Sequence, residues 1–327
     1  MDRLFPLSPL TESARSTVKL QKVGFILLIF GAVYLISSII GSILLIFPMV
    51  GFMLSDPSYM ASLGAEGMSS QELAEQLTAN MPEPLMLFSL FITAATIVTV
   101  LVYCLKFEKR RCFSLGLSLK GAVRHYAAGL GIGLLMFSLA VGMMFLFGEA
   151  EDFRLSENFS LATCLLFFLG FMIQGFSEEF LVRSYLYVSL TTCIKPALAV
   201  GISSAAFAVL HAENPGITPL AVVNLFLFGV FAALYFHLTG NVWGIAAVHT
   251  VWNFAQGNLF GIRVSGMSMG GSLFAFDFTK REGLFSGGAF GAEGGLGVTL
   301  VLLLGIALLA VWGLKKKNAP EKEPLAA

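Results

Sequence analysis

Charge is what this chain of 327 residues has least of. Asp, Glu, Lys and Arg make up 12% of it, where a soluble domain carries about 25%. With 57% hydrophobic residues and a mean hydropathy of +0.83, it holds too little polar surface for a soluble globule of this length. The four cysteines, Cys104, Cys112, Cys164 and Cys193, form no CxxC pair and no metal-ligand spacing, so neither a thiolate metal site nor a disulfide framework is expected. There is no HExxH zinc helix and no P-loop lysine among the glycines. A cleavable leader is also missing: the first apolar run is too long for a signal peptide and is expected to remain as a span. The formal net charge is zero, and nucleic acid is not an expected partner. Membrane lipid is.

What the chain has instead is long uncharged runs, rich in its 31 phenylalanines. Eight stand out, near 23–48, 85–105, 126–148, 160–182, 197–212, 217–237, 242–260 and 296–314, each about long enough to cross ~30 Å of hydrocarbon. The placement of cations tests this count. Arg3, Arg15, Lys19 and Lys22, the six cations between Lys106 and Arg124, Lys195, and Lys315, Lys316, Lys317 and Lys322 all fall on one side of an eight-span threading. The other side collects thirteen acidic residues against Arg154, Arg263, Lys280 and Arg281. The expected fold class is therefore all-α: a polytopic transmembrane helical bundle of about eight spans with both termini cytoplasmic. Residues 1–22 and 315–327 form the tails, and 23–314 a single membrane domain with a core over about 160–260. A bacterial plasma membrane is the expected location.

Two outer segments exceed a tight turn. Within 55–84, SSQELAEQLTAN has the pattern of a short surface helix opened by a serine cap. Residues 257–297 hold twelve glycines and read as an irregular loop packed on the outer face.

Few ionisable residues lie inside the predicted spans: Glu178, Glu179, Arg183, His211 and His249. A charged side chain at mid-bilayer costs at least ~2.5–3.5 kcal/mol, so each needs a compensating partner. Glu179 and Arg183 are four apart, hence neighbours on one helical face. Glu178 is turned by about 100° from Glu179 and is left over. FAVLH puts Phe207 and His211 on one face; HTVWN does the same for His249 and Asn253. Polar groups of a bundle face its interior or a water-filled cavity, so one cavity lined by Glu178, His211, His249 and Asn253 is the economical arrangement. It could hydrolyse an amide: Glu178 as general base on water, His211 sharing that role or orienting the water, and His249 with Asn253 donating to the oxyanion. His125 and His237 sit at predicted cytoplasmic ends and receive no chemical role. One tension stands against the simple threading. If the fourth span ends near Val182, Glu178 and His211 lie at different depths, unless the chain between Val182 and Lys195 dips back or lies along the interface.

In order along successive apolar segments, EEFLVR, FAVLH and HTVWN fit Glu-Glu-x-x-x-Arg, Phe-x-x-x-His and His-x-x-x-Asn. The pattern, over roughly 175–255, resembles the CPBP family of intramembrane proteases, which includes CAAX prenyl proteases of the Ras-converting type and bacterial Abi-like proteins. The resemblance implies a glutamate-dependent endopeptidase with Glu178 as essential glutamate, His211 as water-activating histidine, His249 and Asn253 as oxyanion hole, and Glu179 and Arg183 completing the first motif. It implies a peptide or protein substrate, with a lipid-modified C-terminal tail, a membrane-inserted chain and a small secreted or precursor peptide all open. The family has been described both as metal-independent and as metalloproteases. The residues favour no cofactor, since asparagine is an unusual zinc ligand; the alternative is a zinc on Glu178, His211 and His249. The other readings of the same polar set are an ion- or proton-coupled transporter and a non-catalytic immunity or scaffold protein.

Overall fold

The computed structural model describes residues 6–18, 22–56, 69, 81–157, 159–280 and 283–318. The helix expected within 55–84 falls outside them. All eight predicted apolar segments are helical. After a short helix α1 (Pro9–Arg15) come α2 (Val23–Ser55), α3 (Glu83–Phe107), α4 (Ala122–Leu146) and α5 (Leu161–Thr191). Then follow α6 (Pro196–Leu210), α7 (Pro219–Thr239), α8 (Val242–Phe254) and α9 (Leu296–Asn318). Among the described residues six helices are long and apolar enough to cross a membrane: α2, α3, α4, α5, α7 and α9. With these helices, the chain is an integral membrane protein. Their outer faces carry exposed Leu28, Phe47 and Leu54, as lipid contact requires.

The fourth segment departs most from expectation, and the departure removes the tension in depth. α5 does not end near Val182. It runs on through a π-wound stretch, Phe180–Tyr187, to Thr191. The chain turns at 192–195 and re-enters as α6, with Pro196 at its first position, where a missing N–H costs nothing. At ~1.5 Å per residue, Glu178 and His211 therefore lie at similar heights above this turn, on antiparallel neighbours. The polar residues of EEFLVR lower the local hydropathy without breaking the helix, because their partners are supplied from within the bundle.

In lipid, helices associate by close packing rather than by hydrophobic exclusion, and small residues mark where they do so. α8 is the central helix, buried along nearly its whole length. Gly129 and Gly133, a GxxxG pair on α4, lie against it: a Cβ at Gly129 would run into the carbonyl oxygen of Gly244, and one at Gly133 would stand 2.6 Å from that of Val248. On the other flank, a Cβ at Gly175 of α5 would sit 2.8 Å from the Thr250 nitrogen. α5 and α8 can thus approach closely enough for their polar side chains to meet.

On the predicted outer side two short strands pair antiparallel, β1 (Ala150–Leu155) with β2 (Phe274–Phe278). Arg154 bridges them through Asp277, at 3.0 and 3.1 Å. The Gly-rich segment is packed against one end of the bundle, through two buried carboxylates that the sequence did not single out. Glu149 accepts from the backbone nitrogens of Phe285 and Ser286 at 2.9 and 2.8 Å. Glu293 accepts from Ser265 and Trp252.

Candidate functional site

All six residues singled out in the sequence converge where α5, α6 and α8 meet. The surrounding cavity, about 370 Å³, also takes walls from α2, α3, α7 and the Gly-rich segment.

The deepest layer is ionic. Glu179 and Arg183 are both fully buried. Arg183 Nε stands 3.0 Å from Glu179 Oε2, close in distance but with the N–H not aimed along the contact. The guanidinium also lies over the Phe207 ring, 5.1 Å from its centroid. Glu179 has a second task. Its Oε1 accepts from His249 Nδ1 at 3.0 Å. A carboxylate only accepts, so Nδ1 must carry a proton, and the other ring nitrogen is turned toward the cavity. The sequence pairing of Glu179 with Arg183 holds; its link to His249 is additional.

Glu178 forms the exposed layer. Its side chain keeps 26% of its surface accessible, and among the described residues no lysine or arginine pairs with it. Oε1 receives a hydrogen bond from Gln174 Nε2 at 2.5 Å. Oε2 accepts none from the described protein donors; it faces His211 Nε2 at 3.6 Å and His249 Nε2 at 3.8 Å. His211 caps the end of α6, and its Nδ1 donates to the Phe207 carbonyl at 2.8 Å. That bond fixes the tautomer: in the neutral ring Nε2 is an acceptor. Glu178 Oε2 and His211 Nε2 are thus two acceptors facing each other. One water can bridge them, donating to both at about 2.8 Å.

Asn253, one turn beyond His249, also lines the cavity. Its Nδ2 donates to Gln174 Oε1 at 3.0 Å, which leaves its second N–H for a ligand. Gln174 was not anticipated. It links Asn253 to Glu178 and fixes the carboxylate's orientation. The available signal was its place four residues before Glu178, on the same face of an apolar helix. Ser177, adjacent to Glu178, also lines the cavity, but its hydroxyl donates to the Gln174 carbonyl at 2.8 Å. No histidine activates it among the described residues, so a serine nucleophile has no base.

The zinc alternative can be tested on spacing. Two imidazoles and a carboxylate are suitable donors, and ligands about 2.1 Å from a tetrahedral zinc stand roughly 3.4 Å apart. Here Glu178 Oε2 is 3.6 and 3.8 Å from the two Nε2 atoms, and no group of three His, Cys, Asp or Glu among the described residues reaches metal-ligand spacing.

Comparison with known proteins bears on the same stretch of chain. No curated protein matches it. Residues 160–255, the segment carrying all six residues and Gln174, match the family model described as type II CAAX prenyl endopeptidase Rce1-like.

Proposed function

We propose that the protein is an intramembrane endopeptidase that hydrolyses a peptide bond with water activated by Glu178 and His211. The family implies a peptidase acting on a peptide or protein; the catalytic roles are read from the geometry. The observation that carries them is Glu178 Oε2, which takes no hydrogen bond from a described donor and stands 3.6 and 3.8 Å from two imidazole nitrogens, on a carboxylate whose other oxygen is held by Gln174.

In this reading the water donates one hydrogen bond to Glu178 Oε2 and one to His211 Nε2, leaving an oxygen lone pair for the scissile carbonyl carbon. Glu178 takes the proton as the water attacks. The developing oxyanion is met by the second N–H of Asn253 and by His249 Nε2. His249 donates only when its ring carries both protons, and the carboxylates of Glu178 and Glu179 on either side of the ring balance that charge. Glu178 then returns its proton to the leaving amine, which breaks the C–N bond and restores the carboxylate. Donors placed before the reaction in a water-poor cavity contribute most; losing one typically costs 10²–10³ in rate.

The experiment compares membrane and secreted peptides, by mass spectrometry, from cells carrying the wild-type chain or Glu178→Ala. Peptides with a new terminus only in the wild type support the reading; identical peptide sets overturn it. Cleavage of such a peptide by purified protein should persist under strong chelation. Loss of activity restored by added zinc would replace the water-only mechanism with the metal alternative.

A further inference from the structure

Beyond Glu178 and the His249 ring that it helps to balance, the cavity wall carries, among the described residues, one further carboxylate and no fixed cation. Two carboxylates, Glu178 and Glu293, reach its wall, while among the described lining residues there is no lysine or arginine. Arg183 sits behind the Phe207 ring and is already balanced by Glu179. Glu293 comes from the Gly-rich segment and is held rigidly. Its Oε2 takes hydrogen bonds from Ser265 N and Oγ, at 2.9 and 2.7 Å, and its Oε1 takes one from the Trp252 indole at 3.3 Å. A carboxylate offers about four acceptor positions, so one remains on Oε1. Charges next to the wall are mostly of the same sign, exposed Arg263 beside Val264 being the exception. Glu83, which opens α3, accepts from Gly271 at 3.4 Å, two residues past Met269 in the wall, and exposed Glu213 follows His211 by two residues.

The geometry points to a substrate with a cationic group near the scissile bond, a lysine or arginine side chain or a free amine, received by Glu293. This rests on the peptidase reading above and narrows its substrate class. A short C-terminal tail ends in a carboxylate, and a buried carboxylate needs a cation or several donors; this wall would meet it with two more carboxylates. The site therefore favours cleavage within a chain, beside a positive charge, over removal of a free C-terminal tripeptide.

The test uses the full chain reconstituted in lipid and a series of apolar peptides of about twenty residues, identical except for Lys, Gln or Glu at one position near the cleavage point. The expected order of kcat/KM is Lys, then Gln, then Glu, with Lys over Gln by at least about tenfold, equivalent to about 1.4 kcal/mol. Glu293→Gln should reduce the Lys-to-Gln ratio toward one. Equal rates, or a preference for Glu, overturn the inference without needing the variant to fold. Binding of the same peptides to Glu178→Gln protein, read by fluorescence anisotropy, separates the two claims. If nothing is cleaved by the wild type yet the Lys peptide binds tenfold tighter, the peptidase reading fails and this inference survives. Cleavage with indifferent binding and rates sinks this inference alone.

Discussion

Two adjacent glutamates on one helix are expected to respond oppositely to truncation. Glu179 is fully buried between a fully buried arginine and a histidine. Glu179→Ala leaves the Arg183 charge with no carboxylate in a dry interior, and breaking one side of a buried pair costs about 3–5 kcal/mol. Native proteins have only ~5–15 kcal/mol in total, so this is a large fraction. With a midpoint shift of ~2–4 °C per kcal/mol for larger domains, the Tm in detergent should fall by at least about 6 °C, with reduced yield. Glu178 pairs with no described lysine or arginine, stands 3.8 Å from a His249 ring that Glu179 also balances, and loses the hydrogen bond from Gln174, worth about 1.5–3 kcal/mol at most and less where, as here, water can replace it. Glu178→Ala should stay within a few degrees of wild type. Glu179→Gln, which can still accept from His249 but leaves Arg183 charged, should fall between. Intrinsic-fluorescence or scanning-calorimetric melts of the three variants decide it. Equal losses for Glu178→Ala and Glu179→Ala, or no loss for the latter, would refute the division into structural and free carboxylate.

Other expectations follow from single contacts. Gln174→Ala removes the link between Asn253 and Glu178; kcat should fall by roughly tenfold, about 1.4 kcal/mol of barrier, with little change in melting, and Gln174→Glu, which cannot donate to Glu178, should be no better. Gly133→Val places a branched side chain against the Val248 carbonyl; the α4–α8 seam should fail, seen as loss of folded protein on size-exclusion chromatography, whereas Gly131→Val, whose Cβ position is open, should be tolerated. The hydrogen bonds from Arg154 hold the Asp277 carboxyl below its ordinary value. A depressed carboxylate contributes above its unfolded value, ~3.9, and is lost as pH falls through the lower folded one. Amide exchange in β1 and β2 should therefore show this contribution unchanged from pH 8 to 5 and fading only below about pH 4. The pair is exposed, so the effect should be small.

The bundle and most of its site were legible because hydrocarbon imposes strong rules. Eight apolar runs became eight helices, and an ionisable side chain inside a span has few reasons to be there. The spacing in EEFLVR separated Glu179 from Glu178 before any contact was known, because a four-residue step closes a helical turn and a five-residue step does not. What stayed hidden depended on context. Hydropathy ended the fourth segment at Val182, since it counts Glu178, Glu179 and Arg183 as costs and cannot see that they neutralise one another or meet His249. The turn itself was written in Lys195–Pro196. Glu293 lies in a glycine-rich stretch with no periodicity, so nothing local aims it at Trp252 of a different element. β1 and β2 pair across more than a hundred residues, and neither AEDFRL nor FAFDF names the other.

The central claim is that the carboxylate spared from ion pairing activates the water. The most direct measurement is the single-turnover rate of Glu178→Gln against wild type, on one identified peptide, in the same lipid, with melting curves matched. A general base is worth about 10²–10⁴ in rate, so the variant should be slower by at least a hundredfold while melting within a few degrees of wild type. A correctly folded variant that cleaves within about threefold of the wild-type rate would contradict the account.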